Sequence, residues 1–293
     1  MMNINMFGTR FCVAAALGLL AGTVSAVESA TPFADGKGPS TCDGRRLVWS
    51  DEFDGTALDP AKWGYELGFI RNREYQFYTN LEENVRVEDG KLVLQARRVD
   101  WPNPGYDAAA PTNDWKRTRP KLTITSGSVN TRGKFAFAGG RLECRAKVPA
   151  HFGTWPAIWT LGANIGEIGW PKCGEIDVLE HYGKTPDWVT CNLHGFSLRD
   201  NKYASPGVSK LTGETPADGF HVYAMEWNRQ GVTCFYDGRP YGRYTFEKYG
   251  EAFAKPHYIL LNLAMGAPWM MPEKDVVVED ATRFEIDWIR VYE

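Results

Sequence analysis

The sequence is poor in the features that would tie it to nucleic acid or to a lipid bilayer. Its 33 basic residues are outnumbered by 36 acidic ones, for a net charge of −3, and basic residues form no cluster. A weakly acidic chain without a basic patch is a poor partner for a polyanion or an anionic membrane surface. The cysteine spacings do not match a zinc site. Few helical periodicities last even two turns, which argues against a helical bundle. What remains is a chain of short alternating runs, unusually rich in aromatic residues.

The one sustained apolar stretch lies at the start. Arg10 precedes an uncharged segment, Phe11 to Ala26, that ends on Val24-Ser25-Ala26, the small-x-small pattern of a leader cleavage site. The stretch is shorter than the ~20 residues a membrane-spanning helix needs, and no cysteine closes it as a lipid anchor would require. The expectation is a secreted or periplasmic protein, cleaved after Ala26 and free of membrane. Cys12 leaves with the leader, and Cys42, Cys144, Cys173, Cys191 and Cys234 remain. An odd number leaves at least one thiol unpaired. Cys144 and Cys191 alternate with apolar neighbours and read as small core residues; the pairing of the others stays open.

Residues 27–44, rich in Ser, Thr, Pro and Gly, read as a flexible lead-in. From residue 45 to 293 the chain alternates apolar and polar residues in short runs separated by Gly, Pro, Asn and Asp, as in Lys91–Ala96 and Gly231–Tyr236 before Asp237-Gly238. That pattern predicts an all-β fold: a two-sheet antiparallel β-sandwich of jelly-roll type with one concave face as a cleft. Asp100–Pro120, with four prolines and two tryptophans, reads as a long surface loop. Aromatic residues make up 13% of the chain, including 11 tryptophans. That is more than a core of this size needs, and it suits a carbohydrate cleft, where indole faces cover sugar C–H faces.

The chemistry concentrates at Glu175-Ile176-Asp177-Val178-Leu179-Glu180. Alternation puts Glu175 and Asp177 on one face of a strand and would turn Glu180 into the core, where an unpaired carboxylate costs several kcal/mol. A β-bulge at Val178-Leu179 returns Glu180 to the face of the other two. Two carboxyls about 5–5.5 Å apart across a glycosidic bond make a retaining glycosidase, one attacking the anomeric carbon and one protonating the leaving oxygen. Three carboxyls this close cannot all ionise, so at least one pKa rises toward the range of a general acid. An acidic strand facing water, or a cation site, would offer the same E-x-D. The preceding Gly174, the interleaved apolar residues and the aromatic flanks favour the catalytic reading.

The stretch Cys173 to His181 resembles the catalytic strand of glycoside hydrolase family 16 in its bulged E-x-D-x-x-E form. Trp49–Gly55, Asn72–Tyr78, Gly140–Lys147, Gly153–Trp159, Glu226-Trp227, Phe235–Gly238, Leu261–Ala264 and Ile286–Tyr292 agree with the family in order. By that resemblance Glu175 is the nucleophile, Glu180 the acid/base and Asp177 the assisting carboxylate. The Trp-Pro-Ala-Ile-Trp stretch and Gly169–Gly174 look most like laminarinases, endo-acting β-1,3-glucanases. Laminarinases often carry an Arg where this chain has Ser128. Family members often hold a structural Ca²⁺, for which the matching positions are Glu52, Gly90 and Asp287. Catalysis itself calls for no cofactor, since the carboxyl pair supplies nucleophile and proton.

Around the motif, Trp155, Trp159 and Trp170 are candidate sugar platforms. Asn192 and His194 share a parity opposite to Cys191 and Leu193, so they face the cleft if the cysteine side is core. His181 is a candidate for the cleft wall. The resemblance adds Arg71, Asn72 and Glu74 as the donor-side lining. The expected protein is a monomeric, secreted, retaining endo-hydrolase of β-linked glucan, β-1,3 or mixed-linkage β-1,3(4). The rivals are a galactan hydrolase of agarase or carrageenase type, a transglycosylase, and a carbohydrate-binding sandwich without activity.

Overall fold

A computed structural model describes residues 41–293. The expected leader and residues 27–40 of the lead-in lie outside the described residues. The end of the lead-in is structured. Thr41–Cys42 pairs with Arg45-Arg46 across Asp43-Gly44, both at positive φ (49° and 79°), the geometry of a tight primed hairpin turn.

Two large antiparallel sheets face each other. The nine-stranded sheet runs through Thr41–Cys42, Arg45–Asp51, Arg283–Tyr292, Gly140–Lys147, His221–Trp227, Gly231–Tyr236 and Arg239–Thr245. Lys91–Gln95 and Val85–Glu88 join it beside Arg283–Tyr292. The eight-stranded sheet runs through Lys202–Ala204, Trp188–Ser197, Glu175–Glu180, Thr154–Gly162, His257–Met265, Ser128–Asn130 and Gly64–Tyr65, with Ser209–Thr212 paired to Trp188–Ser197. The all-β sandwich expected from the alternation is therefore the fold. A small third sheet was not foreseen: Gln76–Tyr78 runs parallel to Lys121–Ser126, which also pairs with Arg97–Pro102. The long loop begins after that last strand, three residues later than its prolines suggested. No helix among the described residues is long and apolar enough to cross a membrane.

The main core lies between the large sheets. Leu142, Cys144 and Ala146 face it from one side; Ile176, Val189, Cys191, Leu193, Ile259, Leu261 and Leu263 face it from the other. Cys144 and Cys191 are fully buried, as their alternation implied, and all five described cysteines are free thiols. A second, smaller apolar cluster sits on the opposite side of the eight-stranded sheet: Ala157, Trp159, Leu161, Cys173, Tyr258 and Leu260. This explains why Thr154–Gly162 is buried along almost its whole length. One of its faces packs the core, and the other is the floor of a cleft.

Of the three residues expected to hold calcium, the two carboxylates each meet a guanidinium. Glu52 is forked by Arg290, Nε and Nη2 donating at 2.9 and 2.7 Å. Asp287 is paired with Arg145, and Gly90 sits in the turn after Val85–Glu88. A hard cation needs several free oxygens at once, and both carboxylates already answer a guanidinium. No role is assigned to calcium.

Candidate active site

Register across the eight-stranded sheet reveals the bulge. Leu161, Trp159 and Ala157, two residues apart, stand opposite Glu175, Asp177 and Glu180. On the other side His194, Asn192 and Thr190, also two apart, stand opposite the same three carboxylates. Both neighbours keep strict alternation, and the catalytic strand spends one extra residue between Asp177 and Glu180. Val178 and Leu179 both go into the core, each fully buried, so the three carboxylates share the outer face. Tyr241, reaching from the opposite sheet, donates its hydroxyl to the Val178 carbonyl, which pins the backbone at the irregularity. Gly174, at φ 80°, opens the strand, and a Cβ there would come within 2.9 Å of Phe253.

The three carboxylates line a cleft of about 430 Å³ with Trp155, Trp159, Trp170, Arg71, Asn72, Glu66, Arg132, Tyr258 and Asn262 among its walls. Trp155 Nε1 donates to Glu180 Oε1 at 3.0 Å, and the Tyr182 hydroxyl donates to the same oxygen at 3.0 Å. Trp170 Nε1 donates to Glu175 Oε2 at 2.9 Å. His194 Nε2 lies 3.3 Å from Asp177 Oδ2 and 3.8 Å from Glu175 Oε1. Among the described residues, no lysine or arginine lies within ion-pair distance of these three carboxylates. Indole and phenol donors hold them in place without forcing them to ionise.

That setting pushes all three pKa values up. Burial raises Glu175 to about 8, with the neighbouring Asp177 adding to it and His194 opposing it. Asp177, 4% exposed, rises well above the carboxylate range, first from burial and then from Glu180. Burial also raises Glu180, against the hydrogen bonds from Tyr182 and Trp155. The trio therefore binds protons more tightly than isolated carboxylates do and titrates as a unit.

The structure brings most of the expected lining together and refines its parts. Trp170 is half exposed at the rim, 5.5 Å from Tyr203 ring to ring. Trp155 stacks on Tyr182 and meets Trp269 edge-on. Trp159 differs from expectation: it is buried, its Nε1 donates to Asn262, and the Arg71 guanidinium covers its face at 4.9 Å. It is cleft floor under an arginine, not an open platform. Asn192 does not reach the cleft wall. It bonds His194 Nε2 at 2.9 Å through its amide nitrogen and so braces the imidazole. His181 is fully buried with Nδ1 on the Trp188 carbonyl and takes no part in the wall. At the far end Arg71 pairs with Glu66, and Ser128 donates to Glu66 at 2.7 Å. The serine that stands where laminarinases often carry arginine thus anchors this end of the cleft. Asn72, at φ 57° beside Arg73 at 56°, bonds Glu74 at 3.1 Å.

Residue-level reading missed Tyr182, Glu66, Arg132, Tyr203, Tyr258, Asn262 and Trp269. Two of these had a signal. Tyr182 lies two residues beyond Glu180, and Asn262 is a polar residue alternating with core Leu261 and Leu263. Tyr258 shares the phase of Asn262 on His257–Met265, and the rest come from loops or very short strands, where alternation carries little information.

An outward trio of carboxylates in an aromatic cleft on a jelly roll defines a glycoside hydrolase. The chain belongs to glycoside hydrolase family 16: the family model described as "Beta-porphyranase A-D, GH16 domain" matches residues 47–293. The β-glucanase of Rhodothermus marinus is 34% identical over 260 residues, covering 84% of this chain and 84% of that protein. Glucan endo-1,3-beta-glucosidase A1 of Niallia circulans is 31% identical over 85% of this chain, and the chain spans only 38% of that protein's length. Among solved structures, one reported with endo-acting O-glycanases that members of the human gut microbiota express to initiate mucin breakdown is 36% identical. It superposes with a TM-score of 0.77 and covers 87% of this chain and 93% of that one.

Proposed function

We propose that the protein is a secreted, monomeric, endo-acting hydrolase of β-linked glucan, with β-1,3 or mixed-linkage β-1,3(4) chains as its first substrate class, working with retention. The observation that carries this reading is the extra residue at Val178-Leu179, which sets Glu175 and Glu180 on one face with Asp177 between them. In the first step Glu175 attacks the anomeric carbon while Glu180 gives its proton to the leaving oxygen. In the second, Glu180 takes a proton from a water whose oxygen bonds to the anomeric carbon as its bond to the Glu175 oxygen breaks, which releases the sugar. Asp177 is the most buried of the three, and its charge beside Glu175 disfavours the ionisation of both at once. Trp155 and Tyr182 fix the Glu180 oxygen they share, and Trp170 fixes Glu175.

The named relatives that act on β-glucan support the glucan reading. A second reading, a β-galactan backbone, is favoured by the porphyranase description of the matching family model. Incubation with laminarin, mixed-linkage glucan, agarose, porphyran and carrageenan, with products sized by chromatography, decides between them. Laminarin cut to a ladder of oligosaccharides supports the first reading. Cleavage of galactans alone replaces it with the second, and a panel left intact throughout refutes both.

A further inference from the structure

We propose that the groove beyond Tyr182 and Trp269 is a leaving-group subsite that takes a sugar carrying an anionic substituent, a carboxylate or a sulfate ester. This role depends on the reading of Glu180 as the proton donor and is independent of which polysaccharide backbone is cut. Register carries the cleft face outward to the groove. Ala157, Glu180, Thr190 and Lys210 stand opposite one another in turn on four neighbouring strands, so Lys210 shares the face of the acid/base. Two strand spacings, roughly 9–10 Å, separate Lys210 from Glu180 along the sheet. Trp188 lies two residues before Thr190 on the same strand and, by alternation, on the same face.

The groove holds about 510 Å³. Tyr182 and Trp269 form the wall it shares with the cleft: both pack on Trp155, and the Tyr182 hydroxyl reaches Glu180 at 3.0 Å. Glu180 protonates the leaving oxygen, so the sugar released with that oxygen lies on this side. Lys184 and Lys210 both line the groove, and no carboxylate does. Neither ammonium has an ion-pair partner among the described residues. Lys210 Nζ sits 3.5 Å from the centre of the Trp188 ring, and an indole face holds a cation without cancelling its charge. The opposite end of the cleft is built otherwise, since Arg71 there is paired with Glu66. Two unanswered positive charges beside the exposed Trp269 suit an acidic sugar, whose ring packs on the indole while its anion meets the ammonium groups.

The test measures binding by calorimetry in the Glu175→Gln background, which prevents turnover. Oligosaccharides of laminarin and of agarose are each offered in neutral, sulfated and carboxymethylated form. At about 0.01 M salt, where the screening length is roughly 30 Å, a charged form should bind at least about fivefold tighter than the neutral form of the same backbone. The advantage should vanish near 1 M salt, where that length is about 3 Å, and fall toward unity when Lys184→Met and Lys210→Met are combined. Lys210→Arg, which keeps the charge, should retain it, and Lys91→Met on the other sheet should leave it unchanged. Preference for the sulfated form alone assigns the anion as a sulfate ester; preference for the carboxymethylated form alone assigns a carboxylate. Equal or absent affinity for charged and neutral forms, or a preference indifferent to loss of both lysines, overturns the subsite. A chain that shows the preference while wild type cuts no polysaccharide keeps the subsite and loses the proposed function. A wild type that cuts laminarin without the preference loses only the subsite.

Discussion

The two sheets bury carboxylates in opposite ways. On the nine-stranded sheet Glu52 is almost fully enclosed and answered by Arg290 in a two-bond fork, the guanidinium lying 3.8 Å over Trp288. On the eight-stranded sheet Asp177 and Glu180 are buried and Glu175 partly so, and the three face only N–H and O–H donors and one histidine. A guanidinium answers a carboxylate with charge and two directed N–H bonds. Neutral donors orient a carboxyl and leave its proton free to move. The molecule thus neutralises charge where it needs stability and withholds neutralisation where it needs proton transfer.

The largest effect on this contrast should come from Glu175→Gln, which keeps the shape and removes the oxygen proposed to attack. Turnover should fall by about 10³-fold or more with an unchanged circular dichroism spectrum, checked by initial rates on the best substrate of the panel. On the other sheet the effect should move from rate to stability. Arg290→Met leaves Glu52 buried and alone, a change expected to cost about 3–5 kcal/mol, read from urea midpoints. Adding Glu52→Gln should recover much of that loss.

A pH series sharpens the comparison further. Burial raises Glu175 from the ordinary 4.5 to about 8 in the folded state, so the folded protein binds a proton there more tightly than the unfolded chain. That contribution is fully present below pH 4.5 and is lost as pH rises through about 8, by at most about 1.4 kcal/mol per pH unit. Wild type should therefore lose stability relative to Glu175→Gln between these values, as a growing difference in Tm. The smallest effect expected is at the rim. Trp269, 61% exposed and edge-on to Trp155, should contribute roughly 1 kcal/mol of ring stacking. Trp269→Ala should raise KM severalfold and leave kcat nearly intact.

Much of this was legible in the residues because alternation is strict where a sheet has one dry face. Leu142, Cys144 and Ala146 announced the core, and the broken parity at Val178-Leu179 announced the bulge. The cleft floor was harder to read. Trp159 sits on an outward face and invited a sugar, yet Arg71, 88 positions away in the chain, covers it. Separation in sequence also hid the pairing of Glu66 with Ser128, 62 positions apart, whose hydrogen bond holds that end of the cleft. His181 follows the motif directly but turns into the interior, because the strand ends at Glu180 and its face is no longer set by alternation. Glu52 and Asp287 matched a calcium pattern position by position, and only their arginine partners show that the charge is already met.

If Glu175 and Glu180 act from opposite sides of one β-glycosidic bond, as proposed, the stereochemistry of the first product must show it. In a proton NMR time course of the digest, the new reducing end should appear as the β-anomer, with the α-anomer growing only at the rate of mutarotation. An α-anomer that leads from the first spectrum would contradict it.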